Sequence, residues 1–405
     1  MMRFSNLKCW DIDQRDFRIN DIEVNDPDNL ISSSNKEIDS SNLIGIPSGI
    51  DMHVHFREPG FEYKEDMMSG SLAALYGGVT TVLDMANNRP ITDSVETIEM
   101  KRKLAEKQNN IDILIAAAIT NRNHTELNKI DEVCDAYKIF LPEYEGDLVI
   151  SDDNIFTSLS ELEQIGTKKP IIIQAEDQEI ISRYRKETSH QKQRPQEAET
   201  IAFQKIFNWA KEFRSLNFHA TLLTSSLTLR MLEMANLTNL TTDTSYRYLL
   251  LDENSSLPSY AKKVNPPFRT SIDRELILKA LATGLIEIIC SDHAPHTLEE
   301  KEISDPSGIP GIQELLPTLI SLIQRGELEW ERAIEAFHTF PAKLLNLDTT
   351  VNSSANMVIL DSNTPFNVTK DWIKTKVRWS VLEGRSLYGN VQYVVKNGDL
   401  ALKKE

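Results

Sequence analysis

This sequence has no long apolar segment, only three cysteines and no excess of basic residues. No run reaches the ~18 apolar residues of a membrane helix, and the start, "MMRFSNLKCWDIDQRDFRIN", has no apolar segment behind a basic flank. We therefore expect neither a membrane span nor a signal peptide. The three cysteines, Cys9, Cys134 and Cys290, are widely spaced, which argues against a disulfide framework or a cysteine-based zinc site and predicts a reducing, cytoplasmic location. The net charge of −17 argues against nucleic acid as a partner, because phosphate binding requires a basic surface.

The length of 405 residues, of which 40% are apolar, suits one large domain and a small second one. In the central part of the chain, short β-branched segments alternate with segments of helical periodicity, such as "EDMMSGSLAALYGG", which a glycine pair closes. The predicted strands are Gly49–Phe56, Val79–Met85, Ile113–Ile119, Ala136–Leu141, Pro170–Ala175, Asn217–Leu223, Leu240–Thr244 and Leu285–Asp292. Eight strands alternating with helices predict an α/β fold of the (β/α)8 barrel type, with a doubly wound open sheet as the alternative.

The two ends of the chain differ from this central part. "FRINDIEV" alternates as a strand does, residues 31–42, "ISSSNKEIDSSN", predict an exposed loop, and "NMVILDS", "VRWSVLEG" and "NVQYVVKNGDLALKK" predict strands near the end. We expect residues 1–47 and 348–405 to form one small, discontinuous β-sandwich domain, and residues 48–347 to form the barrel.

The stretch "GIDMHVHFREPG" places two histidines on the first predicted barrel strand. Residues i and i+2 of a strand point to the same face, so His53 and His55 project together, into the barrel if Met52 and Val54 face the helices. Two imidazoles near the carboxyl end of a barrel strand form half of a divalent metal site. Two histidines satisfied by hydrogen bonds within the fold are the alternative, and the short pattern alone does not distinguish the two.

Longer motifs resemble those of a known family. "HVHFREPGFEYKEDMMSG", "GGVTTVLDMANNRP", "NPPFR" and "SDHAPHTLEEK" occur in this order between Pro47 and Ile320, and together they resemble the dihydroorotases of the amidohydrolase superfamily. The "FREPG" and "DHAPH" elements favour dihydroorotases over hydantoinases and allantoinases. The resemblance implies reversible hydrolysis of the cyclic amide of L-dihydroorotate to N-carbamoyl-L-aspartate, in pyrimidine synthesis, by water that a metal such as Zn²⁺ activates.

The resemblance also implies roles for individual residues. It implies that the metal is bound by His53, His55, Lys138 and Asp292, with Asp292 also acting as general base and Lys138 carboxylated, as in many family members. It implies that the substrate carboxylate is held by Arg57, Asn87 and His296, and the planar fork of arginine suits a carboxylate. Without the resemblance, Asp292 would be a helix N-cap, Lys138 a side chain extending along its strand to solvent, Arg57 a surface charge and Asn87 a turn residue.

The sequence departs from the family pattern at the second metal position. Gln174 in "IIIQAEDQ" and Leu222 in "FHATLLTS" stand where the resemblance implies histidine ligands. His219 does not replace the second one, because residues three apart on a strand face opposite sides. A glutamine oxygen is a weak ligand for a zinc-like ion and leucine is none, so the sequence leaves one or two metal ions open, with the second position short of ligands. Arg247 and Tyr248 stand where the family often has paired histidines.

Three functions remain open from the sequence. The first is a dihydroorotase, which the chemical coherence of Arg57, Asn87, Asp292 and His296 favours, and for which the family implies a homodimer. The second is a non-catalytic barrel that supports aspartate transcarbamoylase, as some members of the family do. The third is a cyclic amidase for another ring such as a hydantoin, which Arg57 and Asn87 disfavour because they anticipate a ring that bears a carboxylate.

Overall fold

A computed structural model describes residues 1–27, 36–108, 110–142, 148–235, 237–347 and 355–404. Within these ranges the strands are β1 (Met2–Asp11), β2 (Asp16–Val24), β3 (Lys36–Asp39), β4 (Ile44–Pro47), β5 (Gly49–Val54), β6 (Val79–Asp84), β7 (Asp112–Ala118), β8 (Ala136–Phe140), β9 (Pro170–Gln174), β10 (Asn217–Thr221), β11 (Leu240–Ser245), β12 (Ile288–Cys290), β13 (Met357–Asp361), β14 (Phe366–Asn367), β15 (Ser386–Leu387), β16 (Asn390–Lys396) and β17 (Asp399–Lys403). The helices are α1 (Met67–Tyr76), α2 (Val95–Ala105), α3 (Leu127–Val133), α4 (Asp152–Ile165), α5 (Gln178–Tyr184), α6 (His190–Gln193), α7 (Gln196–Glu212), α8 (Ser226–Met234), α9 (Arg247–Leu250), α10 (Ser271–Thr283), α11 (Leu298–Ile303), α12 (Leu315–Gln324), α13 (Trp330–Ile334) and α14 (Phe340–Leu344). None of these helices is long and apolar enough to cross a membrane.

Strands β5 to β12 form one parallel sheet in which each strand pairs with its neighbour in sequence. A bridge between Val54 and His293, with a hydrogen bond of 2.8 Å from the His55 amide to the His293 carbonyl, connects the last strand back to the first. The predicted (β/α)8 barrel is therefore confirmed, and the open sheet is excluded. Each of the eight predicted strands is present with ends no more than three residues from those expected.

Apolar side chains pack on both faces of the barrel strands. Val54 belongs to the large core between the strands and the helices, whereas Met52 packs inside the barrel with Leu83 and Ile172. The pairing register of β5 shifts between Asp51 and Val54, which breaks the strict alternation along this strand. The condition set for Met52, that it faces the helices, is therefore not met, although both neighbouring histidines still reach the barrel interior.

The predicted helix at residues 65–78 is present, and capping hydrogen bonds and a glycine pair determine its ends. Helix α1 begins after Asp66, whose side chain accepts a hydrogen bond from the Ser69 amide while Ser69 caps in return. This reciprocal arrangement satisfies amide groups that have no partner within the helix. Gly77 ends the helix, and Gly78 has φ +71, where a Cβ would approach Leu316 to 2.7 Å. Glycine at position 78 is therefore required by both conformation and packing.

Strands from the two ends of the chain form a second sheet in the order β17-β16-β13-β4-β1-β2, with β3 paired to β1. The two ends meet where β4 pairs with β13 in antiparallel fashion, Ile46 opposite Val358. Phe4 and Ile359 belong to a small hydrophobic core of this second sheet, which is separate from the main core. The expected β-rich part, built from both terminal segments, is therefore confirmed.

Two details of this β-rich part were wrongly predicted. Lys36–Asp39, within the expected loop 31–42, forms β3 and pairs in parallel with β1, and residues 31–35 lie outside the described ranges. The segment "VRWSVLEG" forms turns rather than a strand. Its Trp379, Val381 and Leu382 are all buried in the main core instead of alternating between two faces, and Arg378 has φ +54, so tertiary packing overrides the β propensity.

Candidate active site

A cavity of about 690 Å³ opens at the carboxyl ends of the barrel strands, where parallel barrels place their functional loops. Its walls include six of the seven residues singled out from the sequence: His53, His55, Arg57, Asn87, Asp292 and His296. The seventh, Lys138, is fully buried on β8. Gln174 and Leu222 also face this cavity. The barrel thus brings together side chains that are up to 243 residues apart in sequence, as His53 and His296 are.

His53 is fixed by a chain of hydrogen bonds behind it. The Thr221 hydroxyl lies 2.8 Å from Asp243 Oδ2 and 2.9 Å from His53 Nδ1. A carboxylate can only accept, so Thr221 donates to Asp243 and must accept from His53 Nδ1–H. The lone pair of His53 is therefore on Nε2, which lies 3.7 Å from Asp292 Oδ1.

His55 is held in the same tautomer by a different partner. Its Nδ1 lies 2.7 Å from Asn87 Oδ1, and an amide oxygen accepts, so Nδ1 carries the proton. Its Nε2 lies 3.5 Å from Asp292 Oδ1. Burial lowers the pKa of both His53 and His55, so both rings are neutral at neutral pH. Asn87 was predicted as a substrate ligand, but its Oδ1 accepts the hydrogen bond from His55.

Asp292 is the third member of this group and is held in an unusual conformation. It follows β12 with φ +46, a region that non-glycine residues rarely adopt. Its Oδ2 forms an ion pair of 2.7 Å with Nη2 of Arg247. Burial raises the pKa of Asp292, but the Arg247 charge and the two histidines outweigh burial and leave that pKa well below its usual range. Asp292 is therefore a carboxylate at all ordinary pH values.

The three side chains fit a divalent metal ion. One ligand atom from each of His53, His55 and Asp292 lies within 4.8 Å of the others. Two imidazole lone pairs and a carboxylate oxygen that point at one another repel, and a cation between them turns this repulsion into attraction. Neutral imidazoles and a carboxylate are also the ligands that zinc-like ions prefer. A second group, His53 with Asp243 and Cys290, fits less well, because His53 Nδ1 carries a proton on that side.

Lys138 lies beside this group, with its Nζ 5.3 Å from the centroid of the Phe140 ring and without a hydrogen-bond partner among the residues that the structure describes. The side chain is fully buried, and burial lowers its pKa to about 8 despite the opposing charges of Asp243 and Asp292. A buried amine without a hydrogen-bond partner is costly, which is consistent with a ligand or a modification at this position. The alternative of a side chain that extends to solvent is excluded by its burial.

The far side of the cavity carries positive charge. Nη2 of Arg57 lies 3.2 Å from Nε2 of His296, and Nζ of Lys64 lies 3.2 Å from Nδ1 of the same ring. Burial, Arg57 and Lys64 lower the pKa of His296, so this ring is neutral. Glu300 lies 3.0 Å from Lys64. Arg57 has φ +64, which turns it from the strand direction toward this side.

The positions that depart from the family pattern also have a defined geometry. Leu222, directly after β10, has φ +66, and its amide donates to Asp243 at 2.6 Å. A left-handed conformation costs a leucine roughly 1–2 kcal/mol, and such strain concentrates at functional sites. His219 lies deeper in the barrel on the same inward face as Thr221, where its Nε2 contacts Asp243 at 2.8 Å, so it does not replace Leu222.

Sequence reasoning missed three residues of the site. Lys64 reaches the cavity from the "EYKED" segment. Asn265, in the quoted "NPPFR", lines it with a buried Oδ1 for which the described part of the chain offers no hydrogen-bond partner. Arg247 was noted only as a departure, and its pairing with Asp292 was not foreseen. An arginine inside the apolar "TSYRYLLL" was the available signal, because a buried arginine needs an anionic partner.

Comparison with known proteins assigns the family. The model of the amidohydrolase family matches residues 44–401. This chain belongs to the amidohydrolase family. A dihydroorotase of Staphylococcus epidermidis is 30% identical over 400 residues, which cover 92% of this chain and 91% of that protein. A dihydroorotase of Caldicellulosiruptor saccharolyticus is 31% identical over 390 residues, covering 91% and 88%.

Solved structures show the same amidohydrolase fold. The L-hydantoinase (dihydropyrimidinase) from Arthrobacter aurescens superposes with a TM-score of 0.89 at 21% identity and covers 100% of this chain and 96% of that one. The D-hydantoinase from a Thermus species has a TM-score of 0.87 at 23% identity, covering 100% and 95%. The family, these relatives and the site together support a metal-dependent cyclic amidohydrolase.

Proposed function

We propose that this amidohydrolase is a dihydroorotase, which adds water across the cyclic amide of L-dihydroorotate and releases N-carbamoyl-L-aspartate, and which also catalyses the reverse closure. One observation carries this proposal. A single cavity joins the group of His53, His55 and Asp292 to a wall that holds Arg57 and Lys64. The substrate requires both features, because its reacting amide and its carboxylate lie on one small ring.

The metal end of the cavity would hold one divalent ion through His53, His55 and Asp292. When bound, such an ion supplies Lewis acidity, which activates water and polarises an amide carbonyl. Thr221 and Asn87 keep the two rings in the tautomer that leaves Nε2 available. Asp292, which the family pattern makes the general base, lies 3.7 and 3.5 Å from Nε2 of His53 and His55 and is ionised, so it can receive a proton.

The cationic wall distinguishes the substrates. A guanidinium presents two parallel N–H groups to a carboxylate, and Arg57 carries this group into the cavity beside neutral His296. Dihydroorotate has a ring carboxylate that Arg57 could bind, whereas hydantoin and dihydrouracil have none and would not make this contact. The hydantoinase structures share the fold at under 25% identity, and the dihydroorotase relatives are the closer guide to substrate.

We also infer that Lys138 is carboxylated. With a pKa of about 8, a sizeable fraction of the amine is neutral near pH 8 and can attack carbon dioxide. The new N–C bond gives a carbamate and releases one proton. The resulting anion would add a metal ligand, and the metal would give this buried side chain the polar partner that its Nζ lacks within the described residues.

A second candidate function is a non-catalytic subunit that supports aspartate transcarbamoylase. Leu222 and Gln174 favour it, since neither is a good ligand for a zinc-like ion. The ion pair between Arg247 and Asp292 favours it as well, because a carboxylate held this firmly in its ionised form is a weak proton acceptor. The expected homodimer and the cytoplasmic location stay predictions.

The two candidates differ in one assay. The chain is purified with zinc and bicarbonate, and the interconversion of dihydroorotate and carbamoyl aspartate is followed in both directions. The dihydroorotase is supported if the chain turns over substrate and if a chelator abolishes this turnover and zinc restores it. Asp292→Ala should then remove the turnover, and the exposed Asp13→Ala should leave it intact. A folded, zinc-loaded chain without turnover that co-elutes with aspartate transcarbamoylase supports the second candidate.

A further inference from the structure

His296 lies between two cationic side chains on the cavity wall. Nη2 of Arg57 is 3.2 Å from its Nε2, and Nζ of Lys64 is 3.2 Å from its Nδ1. Burial and these two charges lower the pKa of His296, so the ring is neutral. Guanidinium and ammonium groups only donate hydrogen bonds, whereas a neutral imidazole has one N–H and one lone pair. The ring can therefore accept from Arg57 or from Lys64, but not from both at once.

Glu300 makes the two tautomers of this ring unequal. Its Oε2 is 3.4 Å from Nδ1 of His296, and its Oε1 is 3.0 Å from Nζ of Lys64. The Ser307 carbonyl is a further acceptor for a ring proton. With the proton on Nδ1, the ring would donate to Glu300 and accept from Arg57. With the proton on Nε2, the ring accepts from Lys64, and Nε2 and Arg57 each direct an N–H group into the space where they meet.

The second tautomer suits an anion in the cavity. His296 and Arg57 both line this cavity, so a carboxylate that enters it can accept from Nε2–H and from the guanidinium together. In the first tautomer, Nε2 would present a lone pair to the same carboxylate, and two acceptors that face each other repel. The position of one proton on His296 therefore decides whether the ring attracts or repels a carboxylate.

We propose that Lys64 is a positioning residue for substrate binding: by donating to Nδ1 of His296, it keeps the ring proton on Nε2, so that His296 and Arg57 bind the ring carboxylate together. This inference rests on the carboxylate binding in the proposed function, and it adds a residue to which the family resemblance gives no role. The alternative is that Lys64 attracts the carboxylate through its own charge, which would not require His296.

A double-mutant cycle separates these two roles. The ligand is orotate, which carries the same ring carboxylate as dihydroorotate on a conjugated ring that resists hydrolysis. Its dissociation constant is measured by calorimetry on the zinc-loaded chain. We expect Lys64→Met and His296→Leu each to weaken binding about tenfold or more, as for a lost charge-assisted hydrogen bond. Adding Lys64→Met to His296→Leu should cause little further loss, and Lys262→Met, at an exposed lysine outside the cavity wall, should leave the affinity unchanged.

The tautomer itself can be observed by ¹⁵N NMR of the histidine-labelled chain. The His296 signals are identified by their absence in His296→Leu. In the orotate complex of the unaltered chain, we expect the proton on Nε2 and the lone pair on Nδ1. In Lys64→Met, the proton should move to Nδ1, beside Glu300. A lysine that only stabilised the surrounding loop would not change the tautomer.

A proton on Nδ1 in the unaltered orotate complex would overturn the proposal, and this result does not require any Lys64 variant to fold. Normal orotate affinity in Lys64→Met would overturn it as well, and so would a loss from Lys64→Met that is equally large with and without His296. A folded chain that does not bind orotate would also overturn it, whereas turnover of dihydroorotate by that chain would leave the proposed function standing. Conversely, the expected tautomer in a chain without turnover would support the role of Lys64 and refute the proposed catalysis.

Discussion

The role of Asn87 can be tested sharply, because its two possible roles predict different losses. Its Oδ1 accepts from His55 Nδ1 at 2.7 Å, and this contact fixes the tautomer that leaves Nε2 free for a metal. Asn87→Leu has a similar volume but no acceptor, so it leaves a buried N–H unsatisfied and allows the other tautomer. Residues that orient a metal-binding histidine typically contribute 10- to 100-fold to metal affinity, which corresponds to about 1.4–2.7 kcal/mol.

The measurement is a zinc dissociation constant from competition with a chromophoric chelator. We expect Asn87→Leu to weaken zinc binding within that range, and Asn87→Asp, which keeps an acceptor oxygen, to bind zinc at least as tightly as the unaltered chain. The reasoning is refuted if Asn87→Leu binds zinc normally and only the KM for dihydroorotate rises. That result would assign the amide to the substrate carboxylate, as the family resemblance implies.

Three further predictions address the other parts of the structure. Arg57→Lys should raise the KM for dihydroorotate about 10- to 100-fold, since charge-assisted hydrogen bonds contribute about 1.5–3 kcal/mol. An equal rise of the KM for dihydrouracil, which has no carboxylate, would contradict a role of Arg57 in binding the carboxylate. With ¹³C-labelled bicarbonate, Lys138 should give a carbamate NMR signal that grows as pH rises through about 8, the pKa of its amine. Below that pH the amine is protonated and does not react. A carbamate signal that persists in Lys138→Ala would exclude this site. Lys101→Met should lower the free energy of unfolding in urea by about 3–5 kcal/mol, because it leaves the buried Asp84 carboxylate without a counter-ion. In the unaltered chain the two side chains are fully buried and paired at 2.8 Å. The exposed Lys103→Met on the same helix should cost little.

The barrel could be predicted from sequence because its signals are local. Each strand is a short β-branched segment, and helix ends carry their own signals, such as Asp66 and Ser69 at the start of α1. The "VRWSVLEG" segment failed because its conformation is decided by what it packs against: the Trp379 indole donates to the His296 carbonyl at 2.9 Å, which no local pattern reveals. The short polar β3 was missed because its neighbour β1 supplies the pairing.

The candidate site divides along the same line. His53 and His55 lie two apart on one strand, so their convergence follows from strand geometry. The contacts that refine their chemistry join distant segments, since Thr221 lies 168 residues from His53 and Arg247 lies 45 residues from Asp292. These contacts decide tautomers and charge, and only the folded chain displays them.

The pairing of β4 with β13 means that the second sheet is completed late during synthesis. Ile46 and Val358 are neighbours in the sheet, yet a ribosome makes them more than 300 residues apart. Strands β1, β2 and β4 therefore emerge early. The edge of β4 that pairs with β13 stays unpaired until the end of the chain has been made, after the intervening barrel. An open strand edge invites pairing with other chains, so the nascent chain is most prone to aggregate before β13 arrives, and loss of the C-terminal strands should harm yield more than it harms the barrel itself.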